Sequence, residues 1–387
     1  MTKEYYKMDD NQFQEIVISE DSSRKSRKKR KKASGLRRFV KICLVTLGIL
    51  TTILVAGWIA FRVTVQPPEI PSINRSDDNI DIGFIPFDED DESEGSAIGS
   101  GLRAPLRFTD DNRRQNVFTF LIIGLNAGKN ANTVMVASYD SVSREANLVS
   151  IPRDIPVHAT RNGRKLSSSY IIGSNRGGGV EGGVAQVQRD VMSVIGFIPD
   201  FYVVIDYDAF FTIIDAVGGI EIYVPIRMRY DDPIDNLRID LQPGLQHMNG
   251  TTALHFVRFR QGNSGFPDLP GGDLGRVQNQ QAVVTAVTER LLRPASLLRI
   301  SEFINIFNDS VHTDLTLRNM AWAGEQLFLV RGADAISGYT LPISHSGRRN
   351  GISYEYLDAA ATLELVNRTI NPFYEDIKMQ DLNIVSE

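Results

Sequence analysis

The sequence predicts an α/β domain whose sheet is covered by helices on both faces, standing behind a single membrane-spanning helix. Three observations predict it. Strand-like and helix-like segments alternate from Val117 onward, the pattern of a sheet buried between helices. A run of twenty uncharged residues, 42–61, precedes them. Charge is segregated: residues 1–38 hold twelve Lys and Arg against six Asp and Glu, whereas 69–94 hold ten acids against one Arg. The net charge of -5 is therefore uninformative, because neither stretch has the mixture of a packed fold.

The N-terminal elements follow from membrane physics. ICLVTLGILTTILVAGWIAF (42–61) spans roughly 30 Å at about 1.5 Å per residue, the thickness of a bilayer core. RKSRKKRKKASGLRR (24–38) lies before it and only Arg62 follows closely, so the N-terminus is expected in the cytoplasm. A cleaved signal peptide would have a shorter apolar region, about 7 to 15 residues. The expected order is a disordered basic tail (1–38), a signal-anchor helix (39–62) and an acidic, proline-bearing extracellular linker (63–112). Such a linker repels itself and holds the next domain off the surface. The basic cluster abuts the span, where it sets orientation and attracts anionic lipid. The single cysteine, Cys43, lies inside the apolar run, which argues against a disulfide framework, a zinc site and a catalytic thiol in the outer domain.

Folding is expected to start near Asn116. VFTFLIIG (117–124), TVMVASYD (133–140) and ANLVSI (146–151) are rich in β-branched residues and read as strands. The first two are apolar on both faces. VEGGVAQVQRDVMSVIG (180–196) has helical spacing, weakened at its start by glycines. FYVVID (201–206) reads as a strand, YDAFFTIIDAVGG (207–219) as a helix closed by glycine, and IEIYV (220–224) as a strand. Further helices are expected over about 273–292 and 353–370. No GxGxxG or Walker loop follows any strand.

Candidate chemistry sits at the ends of these elements. In LVSIPRDIPV (148–157), Pro152 stops a buried strand, and Arg153 and Asp154 follow at once. A turn ion pair accounts for those ten residues taken alone. FVRFR (256–260) places Arg258 and Arg260 two apart; on an extended strand both point one way, opposite Val257 and Phe259. A solvent-facing edge with scattered charge fits that string equally well. A glycine-rich loop (261–272) leads into DLGRVQNQQ (273–281), where Asp273, Arg276 and Gln280 share one helical face. The bland reading there is the polar side of an amphipathic helix. Four arginines and a glutamine on separate elements suit a phosphate-rich ligand, because guanidinium forks match phosphate oxygens and keep their charge. The five histidines (158, 247, 255, 312 and 345) are scattered and suggest no nucleophile or base.

Taken in order, FLIIG, NLVSIPRDIPV, FYVVIDYDAFFTIIDAVGGIEIYVP, LQPGLQHMNGTTALHFVRFR and DLGRVQNQQ resemble the LytR-CpsA-Psr proteins of Gram-positive bacterial envelopes. The resemblance runs from about 117 to 290 and continues more weakly through TDLTL (313–317) and INPFYEDI (370–377). It implies a three-layer α/β/α sandwich with a mixed central sheet over 113–310. Residues 311–387 are then a C-terminal α/β portion of the same domain. It also implies an apolar pocket for a polyprenyl chain, with an arginine cluster at its mouth for the pyrophosphate. Arg153, Arg258, Arg260 and Asp273 become catalytic residues, the three arginines gripping the pyrophosphate. Asp273, Arg276 and Gln280 line the same mouth. Lys165, in RKLSSSY, sits where the family tends to carry a lysine.

One loop departs from the family. The resemblance implies two aspartates after the first strand, holding magnesium on the pyrophosphate. Here GLNAGKNANT (124–133) puts Asn126 and Asn132 at those positions and Asn130 where an arginine belongs. Asn279 replaces another family arginine. An amide offers a hard cation an oxygen but no charge, so the family's Mg2+ is expected to bind poorly. Three outcomes stay open. Lys129 supplies the missing positive charge; Asp154 or Asp273 recruits the metal with the substrate; or the domain binds without catalysing.

The expected function is a membrane-anchored extracytoplasmic phosphotransferase. It would attach a lipid-pyrophosphate-linked glycopolymer, teichoic acid or capsule-like, to peptidoglycan. Its expected partners are the membrane, a polyprenyl-pyrophosphate-linked glycan and peptidoglycan, with no nucleic acid. The alternative is a catalytically impaired family member that binds polyprenyl pyrophosphate as a carrier, sensor or envelope regulator. Transcriptional control fits less well, because the folded domain lies outside the cell in this topology and the tail has no DNA-reading fold.

Overall fold

The computed structural model describes residues 49, 51–52, 66–71, 109–157, 164–233, 237–263, 265–291, 293, 300–329 and 336–386. The expected tail (1–38), and most of the expected span (39–62) and linker (63–112), lie outside the described residues. Among the described residues no helix is long and apolar enough to cross a membrane. The chain divides into two units, 1–66 and 67–387, and the sheets and helices that follow lie in the second.

The strands are β1 (Val117–Leu125), β2 (Ala131–Asp140), β3 (Glu145–Ser150), β4 (Phe201–Ile205), β5 (Ile220–Val224), β6 (Met228–Asp232), β7 (Leu237–Leu241), β8 (Gly244–Met248), β9 (His312–Thr313), β10 (Ile336–Thr340), β11 (Ile343–Arg349) and β12 (Ile352–Leu357). The longer helices are α1 (Gly179–Ile195), α2 (Tyr207–Ala216), α3 (Gly250–Arg258), α4 (Asp273–Leu291), α5 (Ile300–Ser310), α6 (Leu317–Leu329) and α7 (Ala359–Thr369). The central sheet has the order β9-β4-β1-β2-β3-β10. It is mixed: β1 runs parallel to β4 and antiparallel to β2, and β3 runs parallel to β10.

Period-two alternation sorts the sheet's side chains. Leu121 and Ile123 of β1, Val134 and Val136 of β2 and Val204 of β4 pack with Val184, Val187 and Val191 of α1 and Val366 of α7. On the opposite face Val203 of β4 meets Ile213 of α2 and Phe307 of α5. Phe118 of β1 packs against Trp322 of α6, with ring centroids 4.7 Å apart. Beyond that face a second core joins Ile222 and Ile239 of the small hairpins to Ile214, Phe256 and Val283 of α2, α3 and α4.

Local chemistry sets the helix ends. Asp206 caps α2 by accepting from the Ala209 amide at 2.9 Å. The helix stops at Gly218 and Gly219, whose φ of 80° and 76° are left-handed. Asn249 caps α3 through the Thr252 amide at 3.0 Å. The first three strands, α1, β4, α2, β5 and α4 lie where the sequence places them.

Two expectations need correcting. FVRFR is not an extended strand: Phe256–Arg258 closes α3, and the chain turns extended at Phe259, with φ −64° and ψ 128°. Ala253, Leu254 and Phe256 supply the buried helical face. The alternation of Val257 and Phe259 merely imitates a strand. Nor does a helix begin near 353. Residues 352–357 form β12, whose Tyr354 and Tyr356 alternate inward, and α7 starts after its Asp358 cap.

The start of the domain is held by a buried charge. Asp200 accepts from Arg113 Nη2 at 2.5 Å, from the Thr119 amide at 2.8 Å and from Thr119 Oγ1 at 2.7 Å. Arg113 also donates to the Pro372 carbonyl at 3.0 Å, tying the entry of the domain to its C-terminal part. Burial pushes the Arg113 guanidinium below its ordinary value, and Asp200 opposes that shift. Removing one partner of such a pair leaves an uncompensated buried charge. Asp200→Ala is therefore expected to lower the unfolding free energy by about 3 kcal/mol, read by chemical denaturation.

Candidate functional site

The carboxyl ends of the parallel strands β1 and β4 open into a cleft of about 470 Å³. Ligand sites in open α/β sheets sit at this end of the strands. The wall is shaped by a register shift between Gly124 and Leu125, and bulges of this kind re-aim side chains beside functional sites. A Cβ on Gly124 would lie 2.9 Å from Thr133 Cβ, so glycine lets β1 and β2 approach here.

The cleft has two chemistries. Ile122, Met135, Ile205, Phe210, Leu254 and Val284 give it an apolar surface, and Arg153, Arg258, Arg260, Arg276 and Gln280 border the same space. Five residues singled out from the sequence, on three separate segments, thus meet at one cleft. Arg258 lies over the Tyr207 ring, 5.2 Å from its centroid, a cation–π arrangement that fixes its direction. Asn279, where the sequence departs from the family, is buried and donates to the Phe256 carbonyl at 3.2 Å. It ties α4 to the last turn of α3 and so sets Arg258 beside Arg276. Gln281 does the same toward the sheet, donating to Ser150 Oγ at 2.9 Å and to the Tyr339 carbonyl at 2.6 Å.

Burying cations together has an electrostatic cost. Arg276 is only 8% exposed. Burial, then the neighbouring Arg153 and Arg260 charges, push it below its ordinary value, while Asp273 and Asp154 pull it back up. Asp273 does not border the cleft; it pairs with Arg276 one helical turn on, and lies 3.9 Å from Arg153 Nη2. Asp154 stands 3.6 Å from Arg153 Nε and accepts from Lys165 Nζ at 2.9 Å. Lys165 therefore reaches the cluster through Asp154 and does not border the cleft. Lys129 is exposed, at φ 56° in its turn, and is not among the cleft residues.

Both loop asparagines border the cleft. Asn126 Oδ1 accepts from the Asn130 amide at 2.9 Å, closing the turn between β1 and β2. Asn132 Oδ1 accepts from Arg153 Nη1 at 2.9 Å.

Several cleft residues were not singled out from the sequence. Tyr207 and Phe210 follow β4, and Tyr230 and Asp232 come from the β6–β7 hairpin, with the Tyr230 hydroxyl donating to Asp232 at 3.1 Å. Glu355 of β12 lies within the field of the cluster. Burial, then Asp273 and Asp154, raise its carboxyl above the ordinary range, and Arg153 and Arg260 oppose this. For Tyr207 and Phe210 a signal existed: they stand just beyond a strand's carboxyl end. For the hairpin and Glu355 no local signal exists.

Known proteins share this fold. The chain is 24% identical over 245 residues to the regulatory protein MsrR of Staphylococcus aureus, covering 62% of this chain and 69% of that one. It is 25% identical over 287 residues to the polyisoprenyl-teichoic acid–peptidoglycan teichoic acid transferase TagV of Bacillus subtilis, covering 71% and 69%. The crystal structure of B. subtilis TagV superposes with a TM-score of 0.54 at 21% identity, over 66% of this chain and 96% of that one, which shows a common fold. The LytR_cpsA_psr family model matches residues 91–371. The chain belongs to the LytR-CpsA-Psr family.

Proposed function

We propose that this chain is a membrane-anchored phosphotransferase that acts outside the cytoplasm. Its donor is a glycopolymer carried on a polyprenyl pyrophosphate, and its acceptor is a hydroxyl of peptidoglycan. One observation carries the reading: four guanidiniums and a set of apolar side chains border a single cleft. A ligand with a doubly phosphorylated head and a hydrocarbon tail uses both. The name of TagV, a teichoic acid transferase to peptidoglycan, supports the donor and acceptor classes. A span at 39–62 with its basic flank would keep the domain beside the outer leaflet, where a lipid-linked donor lies.

In this reading the acceptor oxygen attacks the phosphorus next to the sugar. The bridging P–O–P bond breaks, polyprenyl monophosphate leaves with the proton lost by the acceptor hydroxyl, and the sugar stays joined to the acceptor through one phosphate. Phosphoryl transfer asks the protein mainly for positioning and charge stabilisation. Arg153, Arg258, Arg260 and Arg276 provide both, and Gln280 adds a neutral polar group. Asp273 is a positioning residue that holds Arg153 and Arg276. A second reading, a binder without turnover, is favoured by the amides at Asn126 and Asn132.

The test is transfer from a lipid-pyrophosphoryl oligosaccharide to peptidoglycan by the full-length chain in detergent, beside B. subtilis TagV. Product formation is expected; lipid binding without product would favour the binder. Arg258→Ala is expected to slow transfer by about 10²-fold, the scale of losing one charge-stabilising group. Arg258→Lys recovers only part, because an ammonium cannot form the two-pronged contact. Val284→Trp, which fills the apolar part of the cleft, is expected to weaken a long-chain prenyl pyrophosphate by at least about tenfold while sparing inorganic pyrophosphate. Equal weakening of both, measured by calorimetry, would argue against an apolar tail site.

A further inference from the structure

We infer that the diphosphate site of this chain works without a bound divalent metal, the Arg153–Asn132 pair standing where the resemblance implies two carboxylates and a cation. The inference rests on the proposed pyrophosphate site and specifies its electrostatics.

The donor set does not fit magnesium. Asn126 Oδ1 is engaged with the Asn130 amide at 2.9 Å, and the main chain of Asn126 closes the same turn with Asn130 at 3.1 Å and Lys129 at 2.9 Å. Turning that amide outward would give up one of the three hydrogen bonds that close the turn. Asn132 Oδ1 is engaged with Arg153 Nη1 at 2.9 Å. A cation approaching Asn132 would therefore meet a guanidinium. The carboxylates at the cleft and around the arginines are already engaged: Asp206 caps α2 through the Ala209 amide, and Asp232 accepts from the Tyr230 hydroxyl. Asp273 serves Arg276 and Arg153, and Asp154 serves Lys165 and Arg153. Among the described residues no group of three or more His, Cys, Asp or Glu side chains could hold a metal. Magnesium is usually held by one or two carboxylates besides phosphate oxygens and water, and neither loop position offers one.

Charge arithmetic explains how the site stays competent. Two carboxylates and a dication sum to zero, and so do two neutral amides. That part of the exchange is neutral; Asn130 and Asn279, where the resemblance implies arginines, leave Arg153, Arg258, Arg260 and Arg276 as the cations bordering the cleft among the described residues. At Arg153, Asp154 and Asp273 already offset part of the charge, and a third carboxylate at position 132 would offset more; the Asn132 amide adds none. Lys129 has no part in this, because it does not border the cleft.

The experiment uses the full-length chain in detergent micelles and two titrations. Magnesium chloride alone is expected to give no saturable heat up to millimolar concentration. Geranylgeranyl pyrophosphate is expected to bind with a Kd that differs by less than about threefold between EDTA and excess magnesium. Asn126→Asp combined with Asn132→Asp is expected to gain saturable magnesium binding. In EDTA it should lose at least about tenfold in pyrophosphate affinity, from two uncompensated charges facing the anion. A melting temperature near that of the unaltered chain shows that this variant folds. Saturable magnesium binding by the unaltered chain, or loss of its pyrophosphate affinity in EDTA, overturns the inference and leaves the pyrophosphate site standing. A folded double variant that gains no magnesium binding also overturns it, since the two positions would not then be what excludes the metal. Absence of pyrophosphate binding under both conditions overturns the site itself, and the inference with it.

Discussion

A guanidinium buried beside other guanidiniums needs a carboxylate to remain there, and the Asp273–Arg276–Arg153 group is the constraint on which this structure depends. Arg276 is pushed down by burial and by two like charges, and Asp273, one turn before it on α4, opposes that shift together with Asp154. That spacing lets one carboxylate serve a residue on its own helix and another at the end of β3. The group therefore fixes α4 against the sheet, and with it the width of the cleft. It also leaves positive charge in surplus at the opening, as an anion-binding site requires.

The scaffold around that group is arranged to hold polar tips over an apolar floor. β1 and β4 run parallel and stop at the same level, so their carboxyl ends form one rim. The residues beyond the rim, Asn126 and Asp206, cap a turn and a helix through their side chains. Backbone order thus extends right up to the cleft. From the other side α3 ends at Arg258, and Asn279 ties that last turn to α4. Three of the four arginines are held by differing sets of partners: an aromatic ring for Arg258, a carboxylate for Arg276, and an amide and carboxylates for Arg153. Such diversity suits a cluster of like charges, because no shared partner has to neutralise all of them.

Much of this was legible in the residues, and the exceptions have physical causes. β1 to β4 announce themselves through β-branched runs, and Arg153 through its place just after a proline-stopped strand. Arg276 and Gln280 are visible from helical spacing. Arg258 was singled out and borders the cleft, but its helix looked like a strand, because Val257 and Phe259 alternate while the cap at Asn249 lies outside the string. Lys129 carries the right charge, but a left-handed turn leaves it outside the cleft. Tyr230, Asp232 and Glu355 reach the site through hairpins packed from far along the chain, a placement no local pattern encodes. The transmembrane reading stands on hydropathy and flanking charge alone.

The amide loop reads differently in the two views. By sequence, Asn126 and Asn132 are losses of charge. In the folded domain both oxygens are engaged, one closing a turn and one orienting Arg153, so the amides also have structural roles. The most direct test of the whole account is a crystal structure of the chain with a long-chain prenyl pyrophosphate. The account predicts the diphosphate among Arg153, Arg258, Arg260 and Arg276, with the hydrocarbon running past Phe210 and Leu254. A diphosphate bound elsewhere, or a chain lying outside the cleft, would contradict it.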